Sequence, residues 1–287
     1  RLGIRLSWEK IVIARKIRNL FFSMLLCRQD YFSLYKRLFL ECGFPFEEKI
    51  DWRRPFIIGI KESKILSMNP SSLDFPRKYP PNCQYAPSRV DLNREDPMLN
   101  RRYARVMEEV CLQKQQRPDT KIIYCFSSTV MGFEKRSKII FMKIRDICLR
   151  NPQFVFILSV GKYHNTSYLL PCPSNLYVFQ QVPQLHLLSY CDLMITSGGM
   201  NSIAECIEKE VPMLVCPLSL KSDQLGNSAR VVYHGLGLRA RIKLDSSRTI
   251  EKRIVQLFEN YATFKRNLSM MRTKILAEST AINTEVI

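Results

Sequence analysis

From about residue 119 onward, short apolar runs alternate with segments whose apolar residues recur at helical spacing. "KIIYCFSS" (121–128), "QFVFILSV" (153–160), "NLYVFQ" (175–180), "DLMITS" (192–197), "PMLVCP" (212–217) and "LRARI" (238–242) read as strands. Between them lie helices. "EKRSKIIFMKIRDICLRN" (134–151) places Ile139, Ile140, Met142, Ile144 and Ile147 on one side. "PQLHLLSYC" (183–191) is short, and "NSIAECIEKE" (201–210) ends before Val211-Pro212. "SDQLGNSARVVYHGLG" (222–237) is expected to close with a glycine C-cap pair, Gly235 and Gly237. Residues 247–278 read as helical throughout. Strands alternating with helices predict βαβ units, a parallel sheet and ligands at the carboxyl ends of its strands.

The first part of the chain follows another pattern. Residues 1–42 read as helix with interleaved basic residues (Arg15, Lys16, Arg18, Arg28, Lys36, Arg37). Either this is a basic amphipathic helix on a membrane surface, or a helical pair packs its apolar face on the rest of the protein. "PFIIGI" (55–60) and "SKILSM" (63–68) read as short strands. "NPSSLDFPRKYPPNCQYAP" (69–87) carries too many prolines for a regular helix or central strand and reads as a connector. The expected division is 1–115 and 116–287.

Composition narrows the partners. The 287 residues carry 44 Lys and Arg against 26 Asp and Glu, a formal charge of +18. Such a balance favours nucleotides, nucleic acid or an anionic surface, and equally describes a solvated basic exterior. The ten cysteines include no C-x-x-C pair and no zinc spacing. Cys125, Cys191 and Cys216 sit in apolar runs, as small buried hydrophobes in a reducing compartment do. No apolar run reaches the roughly 20 residues that span a bilayer. The start at Arg1 reads as part of a longer parent sequence or a truncated gene product.

The stretch "ITSGGMNSIAE" (195–205) puts Gly198-Gly199 between a strand and a helix. Glycines there let backbone approach a ligand, and the free N–H groups of the next helix bind phosphate, with Asn201 and Ser202 adding donors. Ser202 to Glu205 also fits an S-x-x-E capping box, which needs no ligand. Asp223 and Gln224 fall in the loop after the fifth strand, where a carboxylate beside an amide holds sugar hydroxyls or, alternatively, caps a helix. Val182-Pro183-Gln184 ends the third strand on the same side. Three polar loops converging on one sheet edge favour a site.

Residues 182–238 resemble the donor-binding signature of UDP-dependent glycosyltransferases of the GT-B fold, macrolide/UDP-glucuronosyl type. The matching elements run in order: V-P-Q, D-L-x-I-T, G-G-x-N-S-x-x-E, V-P-M, D-Q-x-x-N and G-L-G. The likeness extends more weakly over 70–287. It implies an α/β fold with a Rossmann-like parallel-sheet donor domain, preceded by an incomplete acceptor domain. It implies that Gln184 and the backbone near Val182 contact uracil, and that Gly198, Gly199, Asn201 and Ser202 line the pyrophosphate. Glu205 would bind the ribose hydroxyls, Asp223 and Gln224 the donor sugar, and Ser128 and Thr129 would sit at the mouth of the cleft. Ser197 stands where the family has a diphosphate-binding His, and can donate a hydrogen bond without carrying charge. Gln181 stands where plant members stack the base on Trp, and two extra residues precede Asp223.

The chemistry so implied is inverting, metal-independent and cofactor-free: a hydroxyl of a small-molecule or lipid acceptor attacks a UDP-sugar. The family's general base, a His, is expected outside this chain. His164 is an outside candidate, while His186 and His234 read as helix-surface residues. The alternative is a degenerate, non-catalytic nucleotide-sugar-binding relative needing a partner chain. A basic nucleic-acid or membrane-surface protein ranks last, for want of an aromatic-basic RNA motif. The expected location is cytoplasmic, with peripheral membrane contact through the basic N-terminal helices as an open reading.

Overall fold

The computed structural model describes residues 30–51, 59–76, 83–85, 90–92, 100–126, 134–161, 165–219 and 222–285. Two compact units emerge, 1–65 with 79–84, and 66–78 with 85–287. In the first, helix α1 (Asp30–Glu41) is followed by the single turn α2 (Phe46–Lys49) and an antiparallel pair, β1 (Ile50–Asp51) and β2 (Gly59–Ile60). Phe46 and Ile50 are buried, and the Phe39 ring packs against those of Phe44 and Phe46. The expected helix over 1–42 is seen for its last part; residues 1–29, with most of the basic positions, lie outside the described residues. The short strand β3 (Ile65–Ser67) precedes the proline-rich connector, whose described part holds a 3-10 turn at Ser71–Leu73 and the short strand β4 (Cys83–Tyr85).

The second unit is built on six strands. They are β5 (Lys121–Phe126), β6 (Phe154–Ser159), β7 (Leu176–Phe179), β8 (Leu193–Thr196), β9 (Met213–Val215) and β10 (Gly237–Arg239). Their order in the sheet is β10-β9-β8-β5-β6-β7, with all pairings parallel. The chain winds outward from β5 to β7, returns to lay β8 beside β5, then winds the other way. The reversal makes β5/β8 the switch point, where a doubly wound sheet opens a crevice at its carboxyl end.

Strand residues alternate between two cores. Ile122 and Tyr124 of β5, with Val155 and Ile157 of β6, face one cluster; Ile123 and Cys125, with Phe156 and Leu158, face the other. The first cluster is covered by α3 (Arg101–Gln116), α6 (Met200–Glu208), α7 (Gln224–Tyr233) and α9 (Tyr261–Glu285). The second is covered by α4 (Glu134–Arg150) and α8 (Ser247–Glu259). The short helix α5 (Gln184–Leu188) follows β7 and buries Leu185, Leu187 and Leu188.

Helix α3 has no counterpart in the sequence reading. Asn100 caps it, its Oδ1 accepting from the Tyr103 N–H at 2.8 Å, and Tyr103, Val106, Met107 and Val110 form its buried stripe. The long C-terminal helix is two helices, broken at Asn260. Gly237 is not a helix cap. It begins β10, where an added Cβ would stand 2.0 Å from the Met213 carbonyl oxygen; Gly235 alone takes the left-handed C-cap conformation, φ +62°.

The cysteines of the strand runs behave as expected from their apolar context. Cys125, Cys191 and Cys216 are buried free thiols. Burial pushes all three thiols up, that of Cys216 to about 12, so they stay protonated. No described helix is long and apolar enough to cross a membrane.

Candidate functional site

The turn after β8 carries the geometry on which the site depends. Gly198 has φ +89°, in the region L side chains avoid, and an added Cβ would meet Val215 Cγ1 at 2.7 Å. Its N–H donates to Thr196 Oγ1 at 3.3 Å, and its carbonyl accepts from Asn227 Nδ2 at 3.0 Å. Asn227 is itself buried on α7 and also donates to Asp223 Oδ2 at 2.8 Å. The turn is thus held from β8 on one side and α7 on the other.

Gly199 is the N-cap of α6, with φ −65° and ψ 141°, and no side chain caps the helix. Among the described residues nothing lies within 4 Å of where its Cβ would be. The first N–H groups of α6 receive no side-chain cap and stand at the positive end of the helix dipole. This overturns the capping-box reading. Met200 is already the first helical residue, so Ser202 lies inside the first turn and cannot be the N-cap partner of Glu205.

Glu205 instead belongs to a chain of side-chain hydrogen bonds. Tyr124 OH donates to Gln184 Oε1 at 3.0 Å, and Gln184 Nε2 donates to Glu205 Oε2 at 2.6 Å and to Ser202 Oγ at 3.4 Å. Burial pushes the Tyr124 phenol well above its ordinary value, so it remains a donor. That donor fixes the amide: its oxygen faces Tyr124 and its nitrogen faces Glu205. Ser202 and Glu205 are buried, Gln184 half-buried and Asn201 exposed. Val182, also buried, precedes α5 and packs in the first core.

Beyond β9, the loop is held by Gln224. Its Oε1 accepts from the N–H groups of Leu218 at 2.8 Å and Ser219 at 3.0 Å. Asp223 occupies the N-cap position of α7 but makes no capping bond; its exposed carboxylate turns to Asn227. Ser197 is buried at the head of the glycine turn.

The structure thus gathers Gln184, Ser202 and Glu205 in one bonded group, and joins Gly198 to Asp223 through Asn227. Ser128, Thr129 and His164 lie outside the described residues. Of the other histidines, His186 Nδ1 lies 3.0 Å from Tyr103 OH, and His234 Nε2 lies 3.1 Å from the Leu73 carbonyl. Among the described residues no three His, Cys, Asp or Glu side chains converge as a metal-binding group. Sequence reasoning missed Tyr124, Thr196 and the role of Asn227. Only the asparagine carried a signal, as the last residue of D-Q-x-x-N.

The far end of α7 is anchored as well. Arg230 Nη2 and Nε donate to Asp74 Oδ1 at 2.9 and 3.1 Å, and Tyr85 OH donates to Asp74 Oδ2 at 2.9 Å. The connector's 3-10 turn is fixed by Glu278, whose oxygens accept from the N–H groups of Ser71 and Ser72.

Residues 165–277 match the family described as UDP-glucoronosyl and UDP-glucosyl transferase. The chain is 37% identical over 98 residues to the NDP-glycosyltransferase YjiC of Bacillus subtilis, a match covering 34% of this chain and 24% of that protein. It is 34% identical over 101 residues to the zeaxanthin glucosyltransferase of Pantoea ananas, covering 35% and 22%. The chain thus spans about a quarter of the length of these curated relatives. The crystal structure of the glycotransferase of kitacinnamycin superposes with a TM-score of 0.67 at 19% identity, over 92% of this chain and 63% of that one. The fold is that of the GT-B glycosyltransferases, and the likeness to UDP-glycosyltransferases is confined to residues 165–277.

Proposed function

We propose that the crevice at the carboxyl ends of β5 and β8 binds the UDP moiety of a UDP-sugar, and that the sugar is transferred from there to an acceptor hydroxyl. One observation carries this reading: the Gly198-Gly199 turn sits at the switch point, locked from behind at Gly198, with no described residue within 4 Å of the Gly199 Cβ position and no side-chain cap on α6. In this reading the pyrophosphate lies against Gly199, Asn201 and the first N–H groups of α6. Gln184 and the backbone at Val182 face the uracil. The ribose hydroxyls reach Glu205 by joining or replacing the Gln184 amide. Asp223 and Gln224 border the sugar.

The transfer is a single inverting displacement. The acceptor oxygen forms a bond to the anomeric carbon as the bond from that carbon to the UDP oxygen breaks, and the hydroxyl proton passes to a base outside this chain. Charge building on UDP is met by the α6 dipole and by Ser197, Ser202 and Asn201 as neutral donors, without a metal ion or other cofactor. The neutral, buried Ser197 favours a second reading, in which the site binds a nucleotide sugar without turning it over.

Calorimetry with UDP and UDP-glucose tests both readings. Binding of UDP, and a much weaker response to uridine, is the expected result; no heat with millimolar UDP overturns the assignment. Glu205→Gln keeps an acceptor for Gln184 but removes the charge. It should weaken UDP about tenfold, or ~1.4 kcal/mol, with little change in melting temperature. Binding without sugar transfer to any hydroxyl acceptor would favour the second reading.

A further inference from the structure

At the outer edge of the sheet, beyond the carboxyl ends of β9 and β10, lies a second cavity of about 290 Å³. Its walls are two loops. One is Pro217-Leu218 after β9, the other 240–244 after β10, and Leu225 of α7 closes the side. The wall is largely hydrocarbon: Pro217, Leu218, Leu225, Ala240, Ile242 and Leu244. Leu244 is 73% exposed.

The remaining four lining residues are all cationic: Arg136, Arg239, Arg241 and Lys243. Among the described residues no carboxylate lines the cavity. The nearby Asp245 is already engaged, by Arg253, by the Arg241 N–H and by Arg241 Nη2 at 3.7 Å. Arg239 is half-buried on β10, and its Nε is fully buried with no hydrogen-bond partner among the described residues. A buried guanidinium nitrogen without an acceptor is costly, and a guanidinium bonds an anion more strongly than a neutral acceptor.

The loops around these cations are not loose. Arg136 on α4 donates to the Leu218 carbonyl, and Lys143, two turns further along the same face of α4, donates to the carbonyls of Ile242 and Asp245. The backbone of 241–245 closes a tight turn, with the N–H groups of Leu244 and Asp245 both on the Arg241 carbonyl. The cavity is therefore held in shape from below, while among the described residues neither Arg239 nor Lys243 makes an ion pair.

We propose that this cavity binds an amphiphilic anion: a phosphate head on Arg239, with Arg136 and Lys243 beside it, and an apolar chain along Leu218, Leu225 and Leu244. The volume admits roughly ten non-hydrogen atoms at ~30 Å³ each, more than a bare phosphate needs. Phosphate chemistry matches the forked donors of two arginines, and hydrocarbon matches the rest of the wall. The site shares its β9 loop with Gln224, yet it lies on the sheet edge away from the glycine turn, and it does not depend on the donor reading.

The test uses the full chain and three probes: dihexanoyl phosphatidic acid below its micelle concentration, dihexanoyl phosphatidylcholine, and inorganic phosphate. The phosphatidic acid should bind in the presence of saturating UDP, and the other two at least tenfold more weakly. Arg239→Met should lower the phosphatidic acid affinity about tenfold or more, and Leu244→Glu should do the same through the wall. Should Arg239→Met fold poorly, the exposed Lys243→Met serves in its place, with a several-fold loss expected. Vesicles of phosphatidylcholine with and without phosphatidic acid then separate a bilayer head group from a free lipid. Co-sedimentation with the acidic vesicles alone assigns the bilayer; binding of the monomer without co-sedimentation assigns the free lipid. Equal affinity for phosphatidylcholine, displacement by UDP, inorganic phosphate binding as tightly as the lipid, or insensitivity to these substitutions would each overturn the proposal.

Discussion

Around the switch point, polar groups answer one another. Tyr124 holds Gln184, Gln184 holds Glu205, and Asn227 ties the Gly198 carbonyl to Asp223. At the outer edge of the same sheet, beyond β10, the opposite holds among the described residues: four cations share a cavity without a carboxylate, and one guanidinium nitrogen is buried with no acceptor. Both places lie where strand carboxyl ends meet loops, so position alone does not distinguish them. The difference lies in what completes each. The first is complete within the protein and presents backbone N–H groups outward. The second is incomplete until an anion arrives. Removing a member of the first should therefore cost stability, while removing a member of the second should not.

The largest effect belongs to Gly198→Ala. The left-handed backbone costs about 1–3 kcal/mol for a residue with a Cβ, and the contact with Val215 Cγ1 adds overpacking strain of similar size. A fall in melting temperature of several degrees is expected by calorimetry, together with lost UDP binding. Gly199→Ala is its partner. With ordinary φ and no described residue within 4 Å, it should change stability by less than about 1 kcal/mol. Its methyl projects into the space before α6, so UDP affinity should still fall. If Gly199→Ala binds UDP as the parent does, the pyrophosphate does not lie there.

Asp74→Asn comes next. Burial alone would raise the Asp74 carboxyl, but hydrogen bonds from Tyr85, Arg230 and the Phe75 N–H outweigh it and hold it below the ordinary carboxylate value. A carboxyl whose folded value is depressed stabilises the fold above its unfolded value, about pH 4, and that contribution disappears as pH falls through the folded value. Asp245, held by Arg241 and Arg253, and Glu251, held by Arg150 and Asn151, are depressed in the same way and share the acid loss. Urea denaturation of parent and variant across pH 2–7 isolates the Asp74 share. At neutral pH the variant should be weaker by about 1–3 kcal/mol, and the two curves should converge in acid. Parallel curves would mean that Asp74 is not ionised against Arg230.

How much of this was readable from the chain differs between the two places. All six strands of the sheet appear where short apolar runs stand, because parallel strands buried on both faces need continuous hydrocarbon. Helix α3 was overlooked although Tyr103, Val106, Met107 and Val110 keep helical spacing; the arginines and glutamates between them masked the stripe. The glycine turn was legible because glycine is a local signal. Its bracing was not, because Thr196 and Asn227 reach it from other elements. The same applies to Gln184, whose amide faces Tyr124 and Glu205. The cationic cavity left no motif at all: Arg136 and Arg239 stand about a hundred residues apart, and only folding brings them to one loop.

The smallest expected effect on stability tests the comparison most directly. Arg239→Met keeps the aliphatic stem against Leu225 and removes the buried nitrogen that lacks an acceptor. A buried donor left unsatisfied costs about 1–3 kcal/mol, and part of that is recovered when the guanidinium is deleted. The variant should thus be as stable as the parent or more so by up to ~1 kcal/mol, measured without added anion. Adding the short-chain phosphatidic acid should reverse the order, since a ligand that binds only the folded parent raises its stability by mass action. A variant clearly less stable than the parent without ligand would mean that Arg239 is already satisfied within the protein, and that the switch point and the outer edge are finished alike.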